Sequence, residues 1–142
     1  MNTIVTDAGF APDDWTFGFY TPNSLPDILP PAVAVTLDSA APIDPVINLL
    51  AAIDLIRVTF PTFADGRGFS LAAQLRLAGF HGRLRAFGPV LADQYAMARR
   101  AGFDEVEIPP ELARRQPQAD WQARINWRAH DYQSRLRQFE GL

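Results

Sequence analysis

From residue 32 onward, short apolar runs alternate with longer amphipathic stretches. Four runs have the length and apolar content of buried strands, and they cover residues 32–37, 53–60, 83–88 and 104–108. Helical patterns fill the intervals, with proline near the start or glycine after the end, and they cover residues 42–53, 70–78 and 89–101. Strands that alternate with helices indicate successive β–α units. The pattern therefore predicts an α/β fold with a small parallel sheet of about four strands and right-handed crossovers.

The two ends of the chain depart from this pattern. Closely spaced prolines predict an irregular lead-in over residues 1–31, in which TFGFY (16–20) suits a short strand or hairpin arm. Residues 117–140 place apolar side chains on one helical face and predict a long C-terminal amphipathic helix; these side chains are Trp121, Ile125, Tyr132, Leu136 and Phe139. Such a helix forms a homodimer contact or covers the core of its own chain. We expect one domain over residues 1–142, with a β–α core at 32–110.

The composition excludes several classes of chemistry. All thirteen basic residues are arginine, so a lysine Schiff base and the lysine of a Walker phosphate loop are excluded. The absence of cysteine excludes thiol redox chemistry, cysteine-ligated iron–sulfur clusters and zinc ribbons. The two histidines, His81 and His130, lack the spacing of metal ligands. We therefore expect no metal and no cofactor within this chain, and any redox cofactor to come from a partner.

Charge is unevenly distributed along the chain. Residues 1–56 carry seven aspartates and no basic residue, whereas residues 57–142 carry thirteen arginines against nine acidic residues. This asymmetry fits an acidic lead-in that packs on the basic remainder, an acidic surface that pairs with a second chain, or a plain solvated segment. No basic and aromatic platform for nucleic acid appears in the sequence, and no apolar run reaches the roughly 18 residues of a membrane span. Because the start also lacks an apolar leader, we expect a cytoplasmic protein that binds neither nucleic acid nor membrane.

The most informative stretch is PTFADGRGFSLAAQLR, residues 61–76, because a predicted strand leads into it and a predicted helix follows it. Open α/β sheets bind ligands outside the carboxyl ends of their strands. The loops after the second and third predicted strands open at the same edge of a parallel sheet, so we expect their polar residues to face one another across a crevice. The expected ligand-binding residues are Asp65, Gly66, Arg67, Ser70, Arg85, Gly88, Asp93 and Gln94.

Arg67 is the centre of this predicted site. Its guanidinium, together with backbone N–H groups at a helix that starts near Ser70, suits an oxyanion such as sulfate, sulfite or a nucleotide phosphate. A structural interpretation also exists, in which Asp65 bonds its own backbone or pairs with an arginine and Ser70 only caps its helix. Arg85 needs an acidic partner inside its strand, for which we expect Asp65 or Asp93. The stretch contains no nucleophile paired with a base.

The longer pattern around this stretch is specific. FPTFADGRGFSLAAQLR, followed by GRLRAFG, DQ and GFD, resembles a bacterial family called domain of unknown function 934, over about residues 30–110 and more loosely in the tail. The typical pattern of that family is F-x-x-F-x-DGR-x-x-S-x-A-x-x-LR, then G-x-LRA-x-G, DQ and GFD. The family is described as an oxidoreductase involved in sulfite reduction, because its genes adjoin those of sulfite reductase and adenylyl-sulfate reductase. The resemblance therefore implies a pathway and one of those reductases as a partner, and it leaves the reaction open.

Three functions fit these observations. The first is an accessory or anion-binding protein of assimilatory sulfate or sulfite reduction, which we favour because no catalytic acid–base pair can be identified. The second is an enzyme of the same pathway, of oxidoreductase type or acting on a sulfur or phosphate oxyanion through Asp65 and Arg67, with Arg85 stabilising charge. The third is a structural oligomeric module. The absence of cysteine and of a G-x-G-x-x-G after the first strand argues against reductase chemistry by this chain alone.

Overall fold

The computed structural model describes residues 1–127. Its strands are β1 (Thr3–Thr6), β2 (Gly9–Pro12), β3 (Ala34–Asp38), β4 (Leu55–Thr59), β5 (Arg83–Phe87) and β6 (Glu105–Ile108). They form one six-stranded sheet in the order β2-β1-β6-β5-β4-β3. Strands β3 to β6 are parallel to one another, whereas β1 pairs antiparallel with β2 and with β6. The four predicted strands and the mixed α/β class are confirmed, and the sheet has two strands that the sequence pattern did not predict.

Four α-helices lie in the described part of the chain: α1 (Arg67–Leu77), α2 (Tyr95–Ala101), α3 (Pro110–Arg115) and α4 (Gln118–Gln122). Helix α1 begins three residues before the predicted start at Ser70, because the Asp65 carboxylate accepts the backbone N–H of Arg67 and so takes the capping role. The predicted helix at 89–101 is shorter than expected, since a 3-10 turn (Ala92–Gln94) precedes α2.

The predicted helix at 42–53 is wrong. The chain forms successive turns there and ends in a short 3-10 segment, Leu50–Ala52. Backbone bonds in this connection join residues three apart, as between the N–H of Val46 and the carbonyl of Ile43. The tighter 3-10 spacing is tolerated only over short runs, so the segment does not continue as a regular helix. The amphipathic pattern nevertheless serves the core, because Val46 is buried.

One face of the sheet carries the hydrophobic core. The alternate residues of the strands that point to this face are almost completely buried; they are Val5, Val35, Leu37, Ile56, Val58, Leu84, Ala86, Val106 and Ile108. Leu71 and Leu75 of α1 and Ala98 of α2 belong to the same cluster. Consecutive parallel strands are neighbours in the sheet, and the helices α1 and α2, which connect β4 to β5 and β5 to β6, lie on this one side. The sheet is singly wound, like part of a β/α barrel, and not doubly wound.

The opposite face of the sheet, which we call the charged face, is defined by Arg57, Arg83, Arg85, Glu105 and Glu107. The pairing of the strands places Arg57 beside Arg85 and Arg85 beside Glu105. Arg85 has no exposed surface, and both glutamates are 3% exposed. A charged row so deeply buried requires a cover that supplies compensating charge.

The lead-in provides that cover. The Asp13 carboxylate lies 3.2 Å from a guanidinium nitrogen of Arg85, and the Asp14 carboxylate lies 2.8 Å from one of Arg83. The ring of Phe19 stacks on the guanidinium of Arg57 at 3.8 Å. Of the interpretations left open for the acidic lead-in, packing on the basic remainder is confirmed for these residues.

The first two strands form a hairpin that the sequence interpretation missed. Its loop holds two residues, since Thr6 pairs with Gly9. The backbone N–H of Phe10 in β2 donates to Gln118 of α4 at 2.7 Å, and Pro12 has no N–H, so this edge of the sheet is protected. The strand predicted in TFGFY (16–20) is wrong, because only Tyr20 pairs with the sheet, through a single bridge to Val35.

The described part of the predicted C-terminal helix is interrupted. Helix α4 ends at Gln122 and turns follow it to Trp127, so residues 118–127 do not form the start of one continuous helix. Trp121 is 1% exposed and packs edge-to-face on Tyr95, which covers the core of its own chain. The remainder of the predicted helix, with Tyr132, Leu136 and Phe139, lies outside the described residues, as does His130. Within residues 1–127, none of the helices combines the length and apolar character needed to cross a lipid bilayer.

Candidate functional site

The carboxyl ends of β3 and β4 bring three polar groups together. Asp38 ends β3 and Ser39 follows it, while the loop after β4 carries Asp65. The Ser39 hydroxyl donates a hydrogen bond to Asp65 Oδ2 at 2.8 Å and lies 3.4 Å from Asp38 Oδ1. The predicted loop is therefore tied to the neighbouring strand, at the edge where open α/β sheets bind ligands.

Asp65 and Arg67 form a closed pair within the loop. Arg67 Nε donates to Oδ1 at 2.9 Å and Nη2 donates to Oδ2 at 2.8 Å, which is the two-bond geometry of a strong arginine–carboxylate pair. The Arg67 backbone N–H donates to Oδ1 as well, at 3.1 Å. The Asp65 side chain is 8% exposed, whereas that of Arg67 is 64% exposed. The carboxylate thus fixes the guanidinium at the start of α1 and leaves most of it accessible.

An open cleft of about 340 Å³ adjoins this guanidinium. Arg67 lines it together with Ser39, Ser70 and Gln74. Within the described residues, Arg67 Nη1 makes no hydrogen bond. The Arg67 cation, the Ser70 hydroxyl and the Gln74 amide are groups that hydrogen-bond oxyanions, whereas the Ser39 hydroxyl already donates to Asp65. The arrangement can bind a small anion without any change in the fold.

The same contacts limit what Asp65 can do chemically. The hydrogen bonds from Arg67, reinforced by the one from Ser39, hold the pKa of the Asp65 carboxyl well below its usual range. The pKa of Arg67 is raised in turn, first by Asp65 and also by the nearby charge of Asp38. A carboxylate with so low a pKa is a weak base at neutral pH. Asp65 therefore positions Arg67 and is poorly suited to accept a proton from a substrate.

Asp65 should make a pH-dependent contribution to stability. Because its pKa is lower in the folded than in the unfolded chain, the contribution is complete above the unfolded value of about 3.9 and is lost as the pH falls below it. The free energy of unfolding of an Asp65→Asn variant should therefore be lower than that of the wild type by a constant amount between about pH 5 and 8, and the difference should be smaller at pH 3, where the unfolded chain takes up the proton and the folded chain does not. Urea unfolding followed by tryptophan fluorescence at pH 7, 5 and 3 measures this difference.

The control for this experiment is Asp27→Asn. Asp27 is exposed on the lead-in and forms no ion pair with any residue of the described range. That variant should track the wild type at all three pH values. A difference for Asp65→Asn that persists undiminished at pH 3 would show that the carboxylate charge is not its source.

A family model described as bacterial protein of unknown function, DUF934, matches residues 34–142. The chain belongs to the DUF934 family. No curated protein matches the sequence. The match begins at β3, so it includes the Ser39–Asp65–Arg67 cluster and all four parallel strands, and it leaves out the hairpin and the lead-in.

Two residues of this DUF934 site were missed in the sequence interpretation. Asp38 and Ser39 directly follow the first predicted strand, in TLDSA. Ligands lie outside the carboxyl end of every parallel strand in such a sheet, so the position of both residues directly after the first predicted strand was the signal for them. The structure brings Asp65, Gly66, Arg67 and Ser70 to this site as expected, with Ser70 lining the cleft inside α1 and not capping the helix.

The residues predicted after β5 have a different role. Gln94 joins the two loops, because its amide donates to the carbonyl of Phe63 and accepts the backbone N–H of Leu91. Asp93 forms an exposed ion pair with Arg124. Gly88 has a φ of +132° and its backbone N–H donates to the Glu107 carbonyl. The expected crevice between the two loops is therefore bridged by Gln94, which holds the loop after β4 from one side.

Arg85 does not belong to the site. Its expected partners, Asp65 and Asp93, are both wrong: its guanidinium lies 3.0 Å from Glu107 and 3.2 Å from Asp13, on the charged face. The error has a simple cause, since Arg85 is the middle residue of its strand and lies too far from the carboxyl edge to meet the loop. Within residues 1–127, no three His, Cys, Asp or Glu side chains are grouped as a metal site requires.

Proposed function

We propose that this DUF934 protein is an accessory, anion-binding protein of assimilatory sulfate or sulfite reduction, and that it holds a small oxyanion at Arg67. The observation that carries the proposal is the geometry of that guanidinium, which Asp65 fixes with two hydrogen bonds while 64% of the side chain stays exposed beside a polar cleft. A pre-oriented guanidinium loses little side-chain entropy on binding, which favours affinity. The pathway is the one implied by the family resemblance.

The same geometry favours binding over catalysis. The lowered pKa of Asp65 makes it a weak base, and Ser39, its hydrogen-bond partner, is only 2% exposed. Nucleophilic catalysis needs an accessible nucleophile next to a competent base. The role proposed for the protein is therefore delivery or retention of an anion for a reductase in the cytoplasm, with sulfite reductase or adenylyl-sulfate reductase as the partner.

Thermal unfolding tests the anion site. Wild-type protein and an Arg67→Ala variant are compared with sulfate, sulfite, adenylyl sulfate and its 3′-phosphorylated form. A ligand present at 100 times its dissociation constant should stabilise the folded wild type by about 2.7 kcal/mol, and this gain should disappear in Arg67→Ala. The control is Arg114→Ala, because Arg114 is an exposed arginine at the end of α3 and away from the cleft.

Two results would contradict the proposal. Equal stabilisation of wild type and Arg67→Ala would place the anion elsewhere. No stabilisation by any of the four compounds would leave the Asp65–Arg67 pair with a structural role. Turnover of one of these compounds by wild-type protein, lost in a folded Arg67→Ala variant, would replace the accessory role with an enzymatic one.

A further inference from the structure

The carboxylates around Arg67 disfavour an anion that carries no hydrogen-bond donors of its own. Two carboxylates, those of Asp38 and Asp65, lie within 3.4 Å of the Ser39 hydroxyl, and both act on the pKa of Arg67. An anion at Arg67 therefore meets one positive and two negative charges at close range. Coulomb repulsion from the second carboxylate opposes binding unless the ligand also uses it. A ligand that carries hydroxyl donors next to its anionic group would turn Asp38 from an unfavourable charge into a hydrogen-bond acceptor.

A second cleft lies next to Asp38. Its volume is about 560 Å³, and its walls include Pro22, Pro42 and Pro45. The hydroxyl-bearing Thr59 and the exposed Asp38, which both end strands, also line it. Ligand pockets of small molecules fall in the range of about 300–1,000 Å³ and combine apolar walls with a few polar groups. This cleft has both properties and lies at the carboxyl edge of the sheet.

The two clefts adjoin each other. Ala41 lines both of them, and Ser39 of the first cleft is next to Asp38 of the second. One molecule can therefore extend from the Arg67 cleft, past Asp38, to the proline walls. The sequence of chemical groups along that path is a cation, a carboxylate acceptor and an apolar slot.

We propose that the substrate class of this site is a nucleoside monophosphate or an equivalent nucleoside sulfate ester, with its anionic group at Arg67, its ribose hydroxyls at Asp38 and its base between the prolines. This inference rests on the anion site of the proposed function and adds the body of the ligand to it. A ribose phosphate without a base shares the anion and the hydroxyls but leaves the proline-walled cleft empty. The nucleotide is the ligand that uses all three parts.

Calorimetric titration with chosen fragments tests the inference. AMP, ribose 5-phosphate, 2′,3′-dideoxy-AMP and inorganic sulfate are titrated into the full-length protein. AMP should bind at least about tenfold more tightly than sulfate, and removal of the two ribose hydroxyls should cost about tenfold, as expected for a hydrogen bond to a charged group. Ribose 5-phosphate should bind more weakly than AMP, because it cannot fill the apolar cleft.

An Asp38→Asn variant should change the affinities for sulfate and for AMP in opposite directions. Asparagine keeps the oxygen that accepts the Ala40 backbone N–H at 3.1 Å, so the turn should persist. Loss of the negative charge should strengthen sulfate binding but weaken AMP binding by about tenfold, and this variant should no longer distinguish AMP from its dideoxy form. Asp27→Asn is the control and should change neither affinity.

The outcomes separate this inference from the function on which it rests. If Asp38→Asn increases the affinities for AMP and for sulfate alike, Asp38 is only a repulsive charge and the inference is overturned. The same holds if AMP binds no better than sulfate while sulfate still depends on Arg67. If Arg67→Ala leaves the affinities for both sulfate and AMP unchanged, the anion site itself is refuted.

Discussion

Replacing Glu107 with leucine should lower the free energy of unfolding by about 3–5 kcal/mol. Glu107 is 3% exposed and accepts from Asn2 at 2.8 Å and from Arg85 at 3.0 Å, with Arg57 at 3.5 Å. Leucine fills the volume but leaves the fully buried Arg85 guanidinium without its closest carboxylate. Two nitrogens of Arg85, Nε and Nη2, already lack a hydrogen-bond partner within the described residues. Asp13 and Glu105 still lie 3.2 and 3.7 Å from Arg85, so the expected loss comes from the hydrogen bonds of Asn2 and Arg85 to Glu107 that leucine removes.

The double variant Arg85→Met with Glu107→Leu identifies the cause. Removing both buried charges together should recover most of the lost stability, because a buried ion pair can often be replaced by apolar side chains of similar size at little cost. Urea unfolding monitored by circular dichroism gives the free energies of unfolding of the wild type, the two single variants and the double variant. The three differences from the wild type complete a double-mutant cycle. A loss below about 1 kcal/mol for Glu107→Leu alone would mean that water reaches Arg85, and that the charged face is not sealed by the lead-in.

Gly88→Ala should be the second strongly destabilising substitution and should lower the free energy of unfolding by about 2–6 kcal/mol. Gly88 has a φ of +132°, where a residue with a side chain is strained by about 1–3 kcal/mol. A Cβ there would also clash with the carbonyl oxygen of Phe60, and such overpacking costs about another 1–3 kcal/mol. The clash involves backbone, so it cannot be relieved by rotation of a side chain.

Gly66→Ala is the matched control for Gly88. Gly66 has an ordinary φ of −78°, and a Cβ there would meet no atom within 4 Å beyond its chain neighbours. Alanine should therefore be neutral or stabilise the fold by about 0.4–1 kcal/mol through the unfolded chain. Thermal unfolding of both variants under one buffer condition measures the contrast. Equal effects of the two substitutions would show that backbone conformation at Gly88 is not limiting.

The β–α core was predictable because local signals and tertiary structure agree there. Each parallel strand is an apolar run flanked by turn residues, and each is a neighbour of the next one in sequence. The hairpin was not predicted, because its strands have only four residues each, and its place in the sheet was not predicted, because β1 also pairs with β6, about a hundred residues away. Local pattern carries no information about such a pairing.

The candidate site was predictable where it depends on one loop and unpredictable where it depends on the order of the strands. Asp65 and Arg67 follow from the position of their loop after a strand, and their mutual pairing was among the interpretations considered. The role of Ser39 depends on which strand lies next to β4, and that order is not contained in the spacing of residues. The partners of Arg85 come from the lead-in and β6, so they too required the complete sheet.

The hairpin is synthesised first but can pair with its neighbour in the sheet, β6, only late. Strand β1 leaves the ribosome about a hundred residues before β6, the strand that it pairs with in the centre of the sheet. At about 5–20 residues per second, translation of that interval takes about 5–20 s. The arginines of β5 are synthesised near the end of this interval, so until β6 follows, Asp13 and Asp14 can meet them only in a sheet that still lacks β6. The hairpin and the acidic lead-in therefore reach their final positions only after β6 has been made, and slowed elongation between β5 and β6 should lengthen the time for which the charged face is open to water.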